Sequence, residues 1–318
     1  MNAVPLLDTA APSDSARRRG LVAFFAIAFG GAWLWVLGAN ALGQSLVNPL
    51  VQLPFAFMPA LGAIVARRWV TREGFADAGL GLRLRGAWPY YVAAWLGPLA
   101  ITAGAAGTAV LLGLWDGDLA PLRDALPGVP WWLTVLLLVS VMPLLAPVYW
   151  GEEFGWTSYL RPRVGGGQLR SITVTGLIWA VWHYPLAFVG YVEFGNVGAG
   201  LLVWTVSFLL QEMLLAWLFI RSGSIWTAAL AHAGNNMVLS LLLAVLMEDP
   251  DGGDRLGATT LTWLPIIPMA LLCGWLLWRG AFRDAARKSP RRHAREGFGG
   301  EGCGPAGRRG RSGPPGPR

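Results

Sequence analysis

The stretch Trp150-Gly151-Glu152-Glu153-Phe154-Gly155-Trp156 puts two consecutive carboxylates at the end of a strongly apolar run, Trp131 to Tyr149. A carboxylate at membrane depth costs roughly 2.5–3.5 kcal/mol or more, so such residues are rarely incidental. Further along the chain, other apolar runs carry His183, Glu212 and His232, with Asn235 and Asn236 beside the last. His232 and Asn236 are four apart and share one helix face, as do Trp179 and His183. The two glutamates point about 100° apart on a helix, so one can face a cavity while a neighbour holds the other. A carboxylate and an imidazole together can deprotonate a water. A second histidine and an asparagine amide can stabilise the oxyanion formed on a carbonyl. That is a hydrolase constellation for an amide or ester. No Ser or Cys in the chain has an equally persuasive set of partners, which favours attack by water over an acyl-enzyme. Glu152, His183 and His232 are equally a Glu/His/His set for zinc with one position left for water. No cofactor is required by the sequence, and zinc stays an open alternative.

Each residue also has a plainer reading. A lone histidine in a membrane helix can simply bond across helices, and Asn235 and Asn236 can serve as polar glue. Glu212 reads best as a structural partner for a histidine or a backbone group. What argues for a site is the combination: two Glu, two His and an Asn at matching depth on three helices.

These residues must be positioned by membrane helices. The chain of 318 residues is 54% hydrophobic and 14% charged, with a mean hydropathy of +0.48. A soluble domain is usually about 25% charged. The 18 Trp suit interfacial belts. The expected fold is therefore all-α and polytopic, with about eight spans of near 20 residues. These are residues 21–42, 50–66, 88–115, 131–150, 172–191, 200–220, 224–247 and 262–278. Pro143 and Pro147 are expected to bend the fourth. The first span exceeds the apolar length of a signal peptide, and more membrane follows it, so Ala39-Asn40-Ala41 is not read as a cleavage site. With the N-terminus in the cytoplasm, every Lys and Arg of the 25 except Arg123 and Arg255 falls on the cytoplasmic side. Arg161 to Arg170 count among them as a loop. The positive-inside rule is then met at every loop, with both termini cytoplasmic. Topology therefore explains a pI of about 10.1 better than nucleic-acid binding does. Residues 1–20 form a polar cytoplasmic segment, 21–278 the membrane domain and 279–318 a basic, Gly/Pro-rich tail expected to be disordered. Cys273 and Cys303 are not expected to pair, and there is no metal-type Cys spacing.

Glu152-Glu153-Phe154-Gly155-Trp156, then Ile178-Trp179-Ala180-Val181-Trp182-His183-Tyr184-Pro185-Leu186, then His232-Ala233-Gly234-Asn235-Asn236 resemble the CPBP family. These are the CAAX-protease and bacteriocin-processing (Abi) intramembrane proteases, with motifs EExxxR, FxxxH and HxxxN or HxxxD in this order. The resemblance centres on residues 131–243. It implies that Glu152 activates the water with help from His183, that Glu153 supports and orients the site, and that His232 and Asn236 stabilise the oxyanion. It leaves the metal question open. Two positions depart from the motifs. Trp179 stands at the Phe of the second, and Thr157 stands at the Arg of the first. A Thr supplies no fixed cation; Arg161, one turn on, is the candidate to reach back in its place.

The reading is an intramembrane endopeptidase of a bacterial cytoplasmic membrane, acting on a hydrophobic or lipidated peptide or protein. Its partners are that substrate and membrane lipid, without nucleic acid, and the oligomeric state is open. Two alternatives stand beside it. One is an inactive family member acting as a scaffold, immunity or regulatory protein. The other is an ion- or proton-coupled transporter, because intramembrane Glu and His also mark ion paths.

Overall fold

Residues 13–247 and 257–282 are described by the computed structural model. The expected disorder of the tail beyond residue 282, with His293 and Cys303, lies outside the described residues. Among those described, all regular structure is helical. Seven helices are long and apolar enough to cross a membrane: α1 Asp14–Ala41, α2 Pro49–Thr71, α3 Leu84–Leu111, α4 Trp131–Val164, α6 Val197–Ser222, α7 Ile225–Leu246 and α8 Gly257–Trp278. Between α4 and α6 lies α5, Gln168–His183, which has 16 residues as an α-helix. Pro185 carries no amide hydrogen to continue it, and the chain tightens into a 3-10 stretch, Tyr184–Phe188. The segment still joins the two ends of the bundle. Arg170 bonds the carbonyls of Val164 and Gly165 at one end, and Tyr191 meets Gln52 at the other. The fold is a polytopic, all-α membrane bundle.

Helix starts follow local chemistry. Ser13, Asn48 and Asn196 accept the orphan amides of Ala16, Leu50 and Ala199. The turn from α6 into α7 needs a left-handed residue and has Gly223 at φ 65°. The arginines gather at one end, where the 72–83 loop is tied down. Arg67, fully buried, bonds both carboxylate oxygens of Asp77 at 2.7 and 3.2 Å and the Gly74 carbonyl at 2.9 Å. Arg163 bonds Glu73 and lies 3.9 Å over the Tyr159 ring. Ser158 donates to Ala78, Ile225 to Gly79 and Trp226 to Leu80, so the loop is fastened across three backbone carbonyls.

Helix α4 differs from expectation in a way that matters. Its predicted span ended at Trp150, which put the glutamates at the cytoplasmic end of the span, a little below the surface. The helix instead runs on to Val164, through a π-helical stretch, Phe154–Leu160. Every residue from Gly151 to Arg161 is buried, so Arg161 belongs to the helix and not to a loop. At 1.5 Å per residue the glutamates lie about 16 Å short of the helix end. Pro143 and Pro147 are held within the α-helical part. Small residues make the depth possible. A Cβ on Gly155 would fall 2.3 Å from the Pro59 Cβ, and one on Gly151 would fall 2.8 Å from the Ala56 carbonyl oxygen. The pair is a Gly-xxx-Gly seam that draws α4 onto α2. Another π-helical stretch, Asn235–Leu242, interrupts α7 just after His232, as others do in α1 (Ala26–Gly31) and α2 (Ala66–Thr71). The Thr102 hydroxyl, shared between the carbonyls of Pro98 and Val238, anchors it to α3. Such π turns recur at functional sites.

The tryptophans include two contrasting sets. Trp69, Trp88, Trp132 and Trp278 are exposed, as a belt requires. Trp156, Trp179 and Trp182 are fully buried around the glutamates.

Candidate active site

Four helices converge on the glutamates: α4 brings Glu152 and Glu153, α5 Trp179 and His183, α6 Phe208 and Glu212, and α7 His232. Two Glu/His pairs result. The first joins Glu152 to His183, whose Nε2 lies 4.0 Å from Oε2 of Glu152. Nδ1 of His183 is 3.0 Å from the Trp179 carbonyl oxygen. A carbonyl only accepts, so Nδ1 carries the proton, and a neutral ring presents the Nε2 lone pair to the glutamate. The second pair is a direct bond. His232 donates from Nδ1 to Oε1 of Glu153 at 2.9 Å, which leaves Nε2 as its free ring nitrogen.

Each carboxylate has a further donor. The Trp179 indole N–H reaches Oε2 of Glu152 at 2.8 Å. The Thr157 hydroxyl reaches Oε2 of Glu153 at 2.7 Å. Arg161 does not reach back to the glutamates as expected. Its guanidinium bonds Glu212 at 3.2 Å, both groups being buried. A charge that deep requires a close countercharge, and the α6 carboxylate supplies it. Glu212 is thus a structural partner, though of an arginine and not of a histidine or backbone group.

Asn236 sits on the expected face of α7, one turn beyond His232. One of its amide N–H groups donates to the His232 carbonyl at 3.3 Å, and the second has no partner among the described residues. Asn235 turns away and donates to Gln211 at 2.9 Å. Among the described residues no group of three or more His, Cys, Asp or Glu is placed to hold a metal ion. Glu152, His183 and His232 are thus not gathered into such a group.

Aromatic rings wall the site. Phe208 stacks on His183 at 4.3 Å, and Trp182, Trp204 and Phe55 surround the same ring at 4.7, 5.9 and 6.1 Å. Trp179 stands edge-on to both histidines, 5.6 Å from His183 and 5.2 Å from His232. Tyr149 lies over His232 at 4.8 Å. Sequence reasoning did not single out Tyr149, although it is one turn before Glu152 on the same face. It also treated Trp179 only as an aromatic neighbour. Phe208 has no local signal: its contact with His183 exists only once α5 and α6 pack.

A bundle of membrane-crossing helices enclosing buried Glu/His pairs is the architecture of a polytopic membrane protein with an interior polar site. Residues 128–238, which contain all of these motif positions, match the family model described as type II CAAX prenyl endopeptidase Rce1-like. The match supports assignment of that segment to the CAAX-protease (CPBP) family, in agreement with the motif resemblance. No curated protein and no solved structure matches the chain.

Proposed function

We propose that the protein is an intramembrane endopeptidase that hydrolyses a peptide bond with water activated by Glu152 and His183. The observation that carries this is the first Glu/His pair. A carboxylate and an imidazole lone pair face each other across 4.0 Å, a gap that a water bridges with one hydrogen bond to each. In the step proposed, the water oxygen attacks the scissile carbonyl carbon while its proton passes to this pair. The free amide hydrogen of Asn236 and the Nε2–H of a protonated His232, held at Nδ1 by Glu153, serve the oxyanion. Collapse of the tetrahedral intermediate breaks the C–N bond, and the abstracted proton leaves on the amine. Phe208, Trp182, Trp204 and Phe55 favour an apolar or lipidated substrate segment. Because the basic end carries nearly all the described arginines, we place it in the cytoplasm, with a bacterial cytoplasmic membrane as host.

The test compares new protein N-termini in membranes of cells carrying the native chain or Glu152→Gln at matched amounts. Ends found only with the native chain are expected, and they nominate substrates. Identical sets of ends at good depth would sink the proposal. One observation favours a second reading, an inactive scaffold: Thr157 replaces the motif arginine, and Arg161 is committed to Glu212. On that reading Glu152→Gln keeps the cellular function intact.

A further inference from the structure

The two positions where the chain departs from the family motifs touch the two glutamates, one each. Trp179 replaces a phenylalanine, which has no polar hydrogen, and its N–H bonds Glu152 at 2.8 Å. Thr157 replaces an arginine, and its hydroxyl bonds Glu153 at 2.7 Å. Both side chains are fully buried, as are both carboxylates. The nearest alternative cation, Arg161, is held by Glu212 and lies 5.2 Å from the Phe219 ring centroid. We infer that Trp179 and Thr157 are the positioning residues of the glutamate pair, two neutral donors that do here what a fixed cation does in the motif. The inference rests on the peptidase reading above for its catalytic meaning, but not for its geometry.

The two donors do different work. The Trp179 N–H takes one lone pair of the oxygen that faces His183, so it fixes where Oε2 of Glu152 stands relative to the imidazole. The indole is itself clamped edge-on between the two histidines, and its own backbone carbonyl holds Nδ1 of His183. One residue thereby sets the carboxylate, the imidazole tautomer and the spacing between the two. Thr157 sits one turn after Glu153 on α4 and holds Oε2 of that residue, while His232 takes Oε1. Glu153 is left bridging α4 to α7 with both oxygens engaged. A neutral donor orients a carboxylate without cancelling its charge, so the negative charge of the pair stays available to the water and to His232.

Two measurements test this on the full chain in lipid nanodiscs and in cells. With fluorotryptophan-labelled protein, the fluorine NMR resonance missing in Trp179→Phe belongs to Trp179. It is expected to move in Glu152→Gln and to stay in place in Trp35→Phe, a control that loses an indole bond to the Val51 carbonyl far from the site. A Trp179 resonance indifferent to Glu152→Gln overturns the inference. In cells, Trp179→Phe and Thr157→Val are expected to lower Glu152-dependent N-termini on the order of ten- to a hundredfold at equal protein levels. Thr157→Ser, which keeps the hydroxyl, is expected to retain them. Equal turnover in Thr157→Val and Thr157→Ser overturns the role of the hydroxyl, because a purely packing role would not separate them. Should no N-termini depend on Glu152, the peptidase reading fails, and the resonance alone decides the positioning.

Discussion

At the scale of single residues, the site places several charged groups in buried positions, and each has a named partner. Arg161 and Glu212 are the sharpest case, since both are buried and they meet at 3.2 Å. Removing one member of such a pair leaves a bare charge and costs about 3–5 kcal/mol, whereas replacing both with apolar residues is close to neutral. Arg161→Met alone is therefore expected to lower the thermal unfolding midpoint of the purified protein sharply, and Arg161→Met with Glu212→Leu to recover most of it. A double variant no more stable than the single would show that the pair is not the coupling unit. The sequence displayed both residues but not their pairing, because they stand 51 positions apart.

At the scale of elements, α4 is held against α2 by the absence of side chains. Gly155→Ala would push a Cβ into the Pro59 backbone, 2.7 Å from its carbonyl carbon and 2.9 Å from its Cα. Backbone cannot swing aside as a side chain does, so a loss of about 1–3 kcal/mol or more is expected, read as a lower folded yield in detergent. Gly107→Ala on α3 meets nothing within 4 Å and is expected to be tolerated. The 72–83 loop gives a pH signature. Burial raises the Asp77 carboxyl, but the hydrogen bond and charge of Arg67 outweigh it and hold the group below its ordinary 3.8. The contribution is thus complete above that ordinary value and lost as the pH falls through the lower folded one. Acid stability curves of native protein and Asp77→Asn are expected to converge at low pH and separate above it. The expected span 172–191 overran the end of α5, which stops at His183 ahead of Pro185. The end of α4 was not legible, because Arg161 and Arg163 read as loop residues until Glu212, Glu73 and the Tyr159 ring are brought beside them.

At the scale of the whole molecule, the arginine-rich end and its opposite define an orientation. Cysteines introduced at the exposed Ala76 and at Asp118 lie at opposite ends of the bundle. In a background lacking Cys273 and Cys303, a membrane-impermeant thiol reagent is expected to label Asp118→Cys in intact cells and Ala76→Cys only after permeabilisation. The reverse pattern would invert the topology. The result bears directly on function, because it fixes the side from which the glutamates, about 16 Å inside the end of α4, are nearer to water.

The sequence by itself determined the class, most of the membrane helices and the candidate residues of the site. Those depend on composition and on spacing along one helix, both of which are local. Hydropathy marked the spans, and Glu152, Glu153, His183 and His232 stood out because ionisable groups are costly there. Only the tertiary structure decided the pairings: Glu152 with His183 and Trp179, Glu153 with His232 and Thr157, Arg161 with Glu212. These bonds join residues up to 79 positions apart in sequence, and a buried polar atom takes whichever partner helix packing brings within reach. That is also why the substituted motif arginine looked like a gap in the sequence, whereas in the folded chain a hydroxyl stands in its place.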